Sequence, residues 1–186
     1  PANLVSDLYA VTGDILHKKG EEQEAFAAYD SCLQWKDDNV MALNNYAYYL
    51  SEKGVDLHKA ESMSYKTIKA EPNNGTYLDT YAWILFMEER YADAKTYIDQ
   101  ALKNRDSTAD NSTVLEHAGD IEYMKGMADE SVDFWKKAYT GENQTEVLAW
   151  KIKNRQYITE EELKKRNAPK QKPAATKKSV RKGKKK

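Results

Sequence analysis

The stretch LDTYAWIL, residues 78–85, decides the fold, because similar stretches recur along the chain. LYAVTGDIL begins at Leu8, LNNYAYYL at Leu43 and LEHAGDI at Leu115. Each stretch has a central small residue, and successive small residues are 34, 35 and 37 positions apart. They are Gly13, Ala47, Ala82 and Gly119. A period of this length with apolar residues at helical spacing indicates four stacked helix-turn-helix units.

Two further positions of each unit, on its second helix, also carry small side chains. Such residues let paired helices approach to the short end of the roughly 8–10 Å range of axial distances. The first position is occupied by Ala25, Ala60, Ala94 and Ser131, and the second by Cys32, Thr67, Ala101 and Ala138. The three sites together predict four closely packed helix pairs.

These small-residue sites, the period and Pro72 after one second helix resemble the tetratricopeptide-repeat (TPR) family. The resemblance covers nearly all of residues 4–155. It implies an all-α fold, a TPR α-solenoid of four helix-turn-helix repeats wound into a right-handed superhelix and closed by a C-terminal capping helix. In particular the chain is similar to the C-terminal repeat array of the multi-repeat TPR proteins of bacterial cell envelopes.

We expect the TPR array to occupy residues 1–157. A short helix at 158–167 would begin with a capping box at Thr159, and the Lys-rich tail at 168–186 is predicted to be disordered because it has no apolar core. Nothing resembling a cap precedes Pro1, so we also expect further TPR repeats upstream in the natural chain. The repeats are expected at about 4–37, 40–72, 75–106 and 111–140, and the capping helix at about 144–155.

Composition and motifs argue against several classes of protein. The chain has no run of 18 apolar residues, so no membrane span is expected, and its single cysteine, Cys32, excludes an intrachain disulfide. It contains no Gly-rich phosphate loop, no nucleophile elbow and no Cys or His pair at metal spacing. We therefore expect no enzymatic activity, no cofactor and no metal. The cytoplasm and the periplasmic side of a bacterial envelope both remain open as locations.

The TPR resemblance implies that ligand peptides lie along the concave wall formed by the first helix of each repeat. Helical spacing agrees, because Asn44 and Tyr48, like Asp79 and Trp83, are four residues apart on one face. Acidic and aromatic side chains predominate there, which predicts an extended basic or neutral peptide anchored on the rings. The alternative is that some of these rings only pack between neighbouring repeats. The predicted groove residues are Asp14, His17, Asn44, Asn45, Tyr48, Asp79, Trp83, Phe86, Met87, Glu116, Asp120 and Tyr123.

The net charge of -1 hides a strong asymmetry along the chain. Residues 164–186 contain 12 basic and no acidic residues, whereas residues 1–163 contain 17 basic and 30 acidic ones. A second hypothesis is therefore an adaptor whose basic tail binds nucleic acid, anionic lipid or an acidic protein, with the repeats as a mount. A merely solubilising tail, or one that contacts the acidic body, is also open. The tail residues in question are Lys177, Lys178, Arg181, Lys182, Lys184, Lys185 and Lys186.

Overall fold

A computed structural model describes residues 1–168 of the chain, and this part is all-α, without a strand. Among these residues, no helix combines the length and the apolar composition that crossing a membrane requires. The helices are α1 (Ala2–Lys18), α2 (Glu22–Trp35), α3 (Val40–Lys53), α4 (Leu57–Ala70), α5 (Gly75–Met87), α6 (Tyr91–Asn104), α7 (Ser112–Met124), α8 (Ala128–Ala138), α9 (Glu146–Asn154) and α10 (Glu160–Asn167).

Helices α1 to α8 form four antiparallel pairs that stack in chain order, as the sequence predicts. Local chemistry sets several helix ends. The side chain of Asn39 accepts a hydrogen bond from the backbone of Ala42 at the start of α3, and Asn74 caps α5 in the same way. Gly54 ends α3 in the left-handed conformation that glycine adopts most easily. The polar residues between repeats thus act as helix stops and starts.

The predicted small-residue sites lie where paired helices meet, and all twelve residues are buried. In the fourth repeat the site requires glycine, because a Cβ atom on Gly119 would lie 2.4 Å from the Trp135 ring. In the third repeat the residue that corresponds to Trp135 is Ile98 of α6, which is smaller, and it packs in the same core cluster as Ala82. The side chain on the second helix therefore determines how small the residue on the first helix must be.

The last two helices close the C-terminal end of the array and turn towards its concave side. Leu148 of α9 is fully buried against the last repeat, which confirms the predicted capping helix. The chain then reverses at Arg155, which has a positive φ of 54°. After this turn Tyr157 is partly buried, and Ile158 and Leu163 are buried. The tail residues at 177–186 lie outside the described residues.

Candidate functional site

The concave side holds a cleft of about 1250 Å³. Residues of α1, α3, α5 and α7 form one wall, and α9, α10 and the segment between them form the opposite wall. Half of the predicted groove residues line it. These are His17, Tyr48, Trp83, Met87, Glu116 and Asp120.

A second depression of about 610 Å³ lies beside the cleft and shares Tyr48 with it. It extends from α3 and α5 to the loop between α6 and α7, and six asparagines line it. Asn44, Asn45 and Asp79 of the predicted set belong here. Asn44 is buried, and its side-chain oxygen Oδ1 has no hydrogen-bond partner among the described residues. A buried acceptor of this kind normally has a partner such as an ordered water or a ligand.

Stacked rings form the floor of the cleft. Trp83 stacks on His117 with ring centroids 4.0 Å apart and on Phe86 with centroids 4.7 Å apart. The indole Nε1 of Trp83 donates a hydrogen bond to Glu52 over 3.1 Å. Phe86 is buried beneath this stack and lines neither depression. Trp83 is itself buried to 8% exposure but still lines the cleft, whereas Phe86 only holds neighbouring helices together.

Asp79 is paired within the protein. Its carboxylate lies 2.9 Å from Nδ1 of His117, which is buried and belongs to the next repeat. Burial opposes a charge on the imidazole, but the carboxylates of Asp79, Asp120 and Glu52 together outweigh this effect, so the pKa of His117 is raised above its usual value. The pair links α5 to α7 across two repeats.

The two acids of α7 are also paired, by a lysine of the capping helix. The Nζ atom of Lys151 lies 2.8 Å and 2.9 Å from the carboxylate oxygens of Asp120 and 2.9 Å from Glu116. Asp120 accepts a further hydrogen bond from Nε1 of Trp135. Burial raises the pKa of Asp120 to about 6, which leaves it ionised at neutral pH. Burial alone would lower the pKa of Lys151, but the two carboxylates raise it, so the lysine stays charged.

At the N-terminal end, the predicted residues of α1 contact α2 and α3. Asp14 accepts hydrogen bonds from the hydroxyl of Tyr29 and, over 3.1 Å, from Nδ2 of Asn45. His17 stacks on Tyr49 with ring centroids 3.5 Å apart. Asp14 lines neither depression, so its role in this structure is to join the first two repeats.

The segment after α9 brings an aromatic ring into the C-terminal half of the cleft. Tyr157 packs edge-on against Phe86, with centroids 5.7 Å apart, and lies 6.5 Å from the ring of Tyr123. Tyr123 also lies beside Trp135 and lines neither depression. The chain itself therefore fills this end of the concave surface, and the open part lies towards Tyr48 and His17.

Several contributors were not predicted from the sequence. Glu52 could have been found, because it follows Tyr48 by four residues on the same helical face. Lys151 and Tyr157 gave no such signal, since they belong to a segment that the tertiary fold alone brings to α7. Within residues 1–168, no group of three or more His, Cys, Asp or Glu side chains is arranged to hold a metal ion.

No family model matches the sequence. Over 66 residues, 36% of the chain, it is 35% identical to the TPR repeat-containing protein PA4667 of Pseudomonas aeruginosa. The match covers only 11% of that much longer protein.

Solved structures with the same arrangement of helices include PilF of Pseudomonas aeruginosa, with a TM-score of 0.69 over 83% of this chain and 68% of that one at 16% identity. A tetratricopeptide repeat protein from Parabacteroides merdae gives a TM-score of 0.63 over 81% of this chain and 57% of that one, at 21% identity. YrrB is described as a TPR protein with an unusual peptide-binding site. It gives a TM-score of 0.52 over 70% of this chain and 66% of that one, at 20% identity. At these identities the similarity concerns the fold. The repeat pattern and these similarities together show that the chain has the fold of tetratricopeptide-repeat proteins, an α-solenoid of stacked helix pairs.

Proposed function

We propose that the chain is a protein–protein interaction scaffold that binds an extended peptide of a partner protein in the concave cleft. The observation that carries this proposal is the cleft itself, about 1250 Å³ in volume, with Trp83 and Tyr48 among its lining residues. Concave sites that combine aromatic surface with a few polar groups are the usual form of a ligand site. No catalytic role is part of the proposal.

The charge of the side chains that line the cleft favours one kind of peptide over another. The cleft is lined by seven acidic side chains and three lysines. Two of the acids, Glu116 and Asp120, are balanced by Lys151, yet an excess of negative charge remains around the opening. A peptide with lysine or arginine beside an apolar residue complements this surface, and an acidic peptide is repelled by it.

The asparagine-lined depression offers a second contact. Asn44, whose buried Oδ1 atom has no partner among the described residues, lines it together with Asn45 and Asp79. A peptide that crosses Tyr48 from the cleft into this depression can hydrogen-bond through its main chain to the amide side chains that line it. Main-chain recognition fits a scaffold that accepts related sequences. YrrB, a protein of the same fold, is described as having an unusual peptide-binding site, so proteins of this fold include peptide binders.

The test is selection of peptides from a random displayed library on the whole chain, followed by fluorescence anisotropy with synthetic peptides. We expect basic and aromatic or aliphatic residues to be enriched. Tyr48→Ala should weaken binding about tenfold, since a centrally placed ring contributes more than 1 kcal/mol in typical interfaces.

The matched control is Tyr65→Ala, an exposed tyrosine of α4 that lines neither depression. It should leave affinity unchanged, and circular dichroism should show both variants folded. Equal binding by the two variants, or a library without binders, would contradict the proposal.

The alternative is that the basic tail contacts an anionic partner and the repeats serve as a mount. It rests on the 12 basic residues of the segment 164–186, of which only 164–168 are described. Tail-driven binding depends on counterion release and should collapse between about 50 and 200 mM salt. Anisotropy with a chain ending at residue 168 separates the two functions, because groove binding survives this deletion and tail binding does not.

A further inference from the structure

Helix α1 carries an apolar stripe that the described part of the chain leaves uncovered. Leu4, Leu8, Val11 and Ile15 follow one another at helical spacing and are 64%, 59%, 49% and 49% exposed. Thr12, on the same face, is exposed as well. Four large aliphatic side chains in one row form a patch of the kind that marks an interaction surface.

The equivalent face of the first helix in each later repeat can be identified by aligning the repeats on their central small residues. Leu8, Val11, Thr12 and Ile15 have twelve counterparts on α3, α5 and α7, and each of these is buried or half-buried. Of the three counterparts of Ile15, Ile84 and Ile121 are fully buried and Tyr49 is half-buried. The same face is therefore an interface in the second, third and fourth repeats.

In those repeats the face is covered by both helices of the preceding pair. Tyr46, a counterpart of Thr12, lies 5.4 Å from the ring of Phe26 on α2. Asn45 and His117, counterparts of Val11, bond to acids on α1 and α5. The second helix of the preceding pair thus covers one edge of the face, and its first helix covers the other.

We propose that α1 is an internal interface of a longer solenoid, and that a further helix pair of the same chain stacks on Leu8, Val11 and Ile15. The occupant is identified by the geometry, because two antiparallel helices cover each equivalent face. It meets α1 through apolar side chains, since Val11 replaces the polar Asn45 and His117 of later repeats.

The test extends the whole chain with a copy of one of its own pairs. A copy of residues 38–69 is joined directly to Pro1, so that residues 1–5 take the places of residues 70–74, which end α4 and link it to α5, and the spacing between the second and third repeats is reproduced. Each added interface stabilises a solenoid, so Tm should rise by roughly 5–10 °C. Amide exchange in α1 should slow by about tenfold or more.

The control is Leu8→Asp combined with Val11→Asp, which alters only exposed positions. These changes should hardly affect Tm of the original chain but should abolish the gain in the extended one. An unchanged Tm on extension, or a gain that survives both aspartates, would overturn the proposal. Analytical ultracentrifugation distinguishes a second copy of the chain from an added helix pair as the occupant. If the original chain forms a dimer and the two aspartates dissociate it, a second copy covers α1 and the proposal is wrong.

Discussion

Gly119 and Trp135 show how one side chain constrains another across a helix pair. A Cβ atom on Gly119 would lie 2.4 Å from the indole carbon Cδ1 and 3.1 Å from the backbone oxygen of Ser131. The ring has little freedom to move, because its Nε1 atom is hydrogen-bonded to Asp120. At Gly13 the corresponding contact, with the ring of Tyr29, is longer, at 2.9 Å.

We predict that Gly119→Ala lowers the free energy of unfolding by about 1–3 kcal/mol through overpacking. Helix propensity alone would give the opposite result, a gain of about 1 kcal/mol. Gly13→Ala should cost less than Gly119→Ala because its contact is less severe. Urea unfolding of both variants measures the difference, and a Gly119→Ala protein more stable than the parent would refute the argument.

Helix α9 is held against the last repeat by an apolar contact and by one buried charge cluster. Leu148 supplies the first, and the second is formed by Lys151 with Glu116 and Asp120. Removing one partner of a buried ion pair is costly because the remaining charge stays desolvated. The position of α9, and with it one wall of the cleft, depends on this lysine.

We predict that Lys151→Met costs about 3–5 kcal/mol of unfolding free energy at pH 8. The cost should be smaller at pH 5, where the unpaired Asp120 can accept a proton. Adding Asp120→Asn should recover part of the loss. Lys164→Met, which breaks an exposed ion pair with Glu160, is the control and should cost less than about 1 kcal/mol. Equal costs for the two lysines in urea unfolding would show that the cluster is not essential.

The stability of the whole molecule should depend on pH through these buried groups. The folded-state pKa of His117 is raised above its ordinary value of 6.5, because the nearby carboxylates, chiefly Asp79, outweigh the effect of burial. The stability that its protonated form contributes is fully present below pH 6.5 and is lost as pH rises through the folded-state value. The pKa of Asp120 is raised from 3.8 to about 6 in the folded state. Its contribution to stability is therefore also lost as pH rises, but between these two lower values.

We predict that the free energy of unfolding falls as pH increases from about 6.5 into the alkaline range. His117→Asn, which installs the residue that the second repeat has as Asn45, should flatten this part of the profile. The exposed His58→Asn serves as the control and should not change its shape. Urea unfolding at a series of pH values measures the profile, and an identical slope in the His117→Asn protein would contradict the assignment.

The sequence by itself determined the helices, their pairing and the stacking of four repeats. The reason is that these features rest on short-range rules that recur every 34 to 37 residues. Small residues such as Ala47 and Ala94 mark the sites of close approach, and asparagines such as Asn39 mark helix starts. The same register also placed Tyr48 and Trp83 on the concave side.

Only the tertiary structure decided which concave groups are available. Asp79 is paired with His117, 38 residues away, and Asp120 with Lys151, 31 residues away. These pairs form because the superhelix and the reversal after α9 bring distant segments together, and no local pattern encodes that approach. The sequence therefore specified an acidic and aromatic wall, whereas three-dimensional folding balanced some of its charges and filled one end of it with Tyr157.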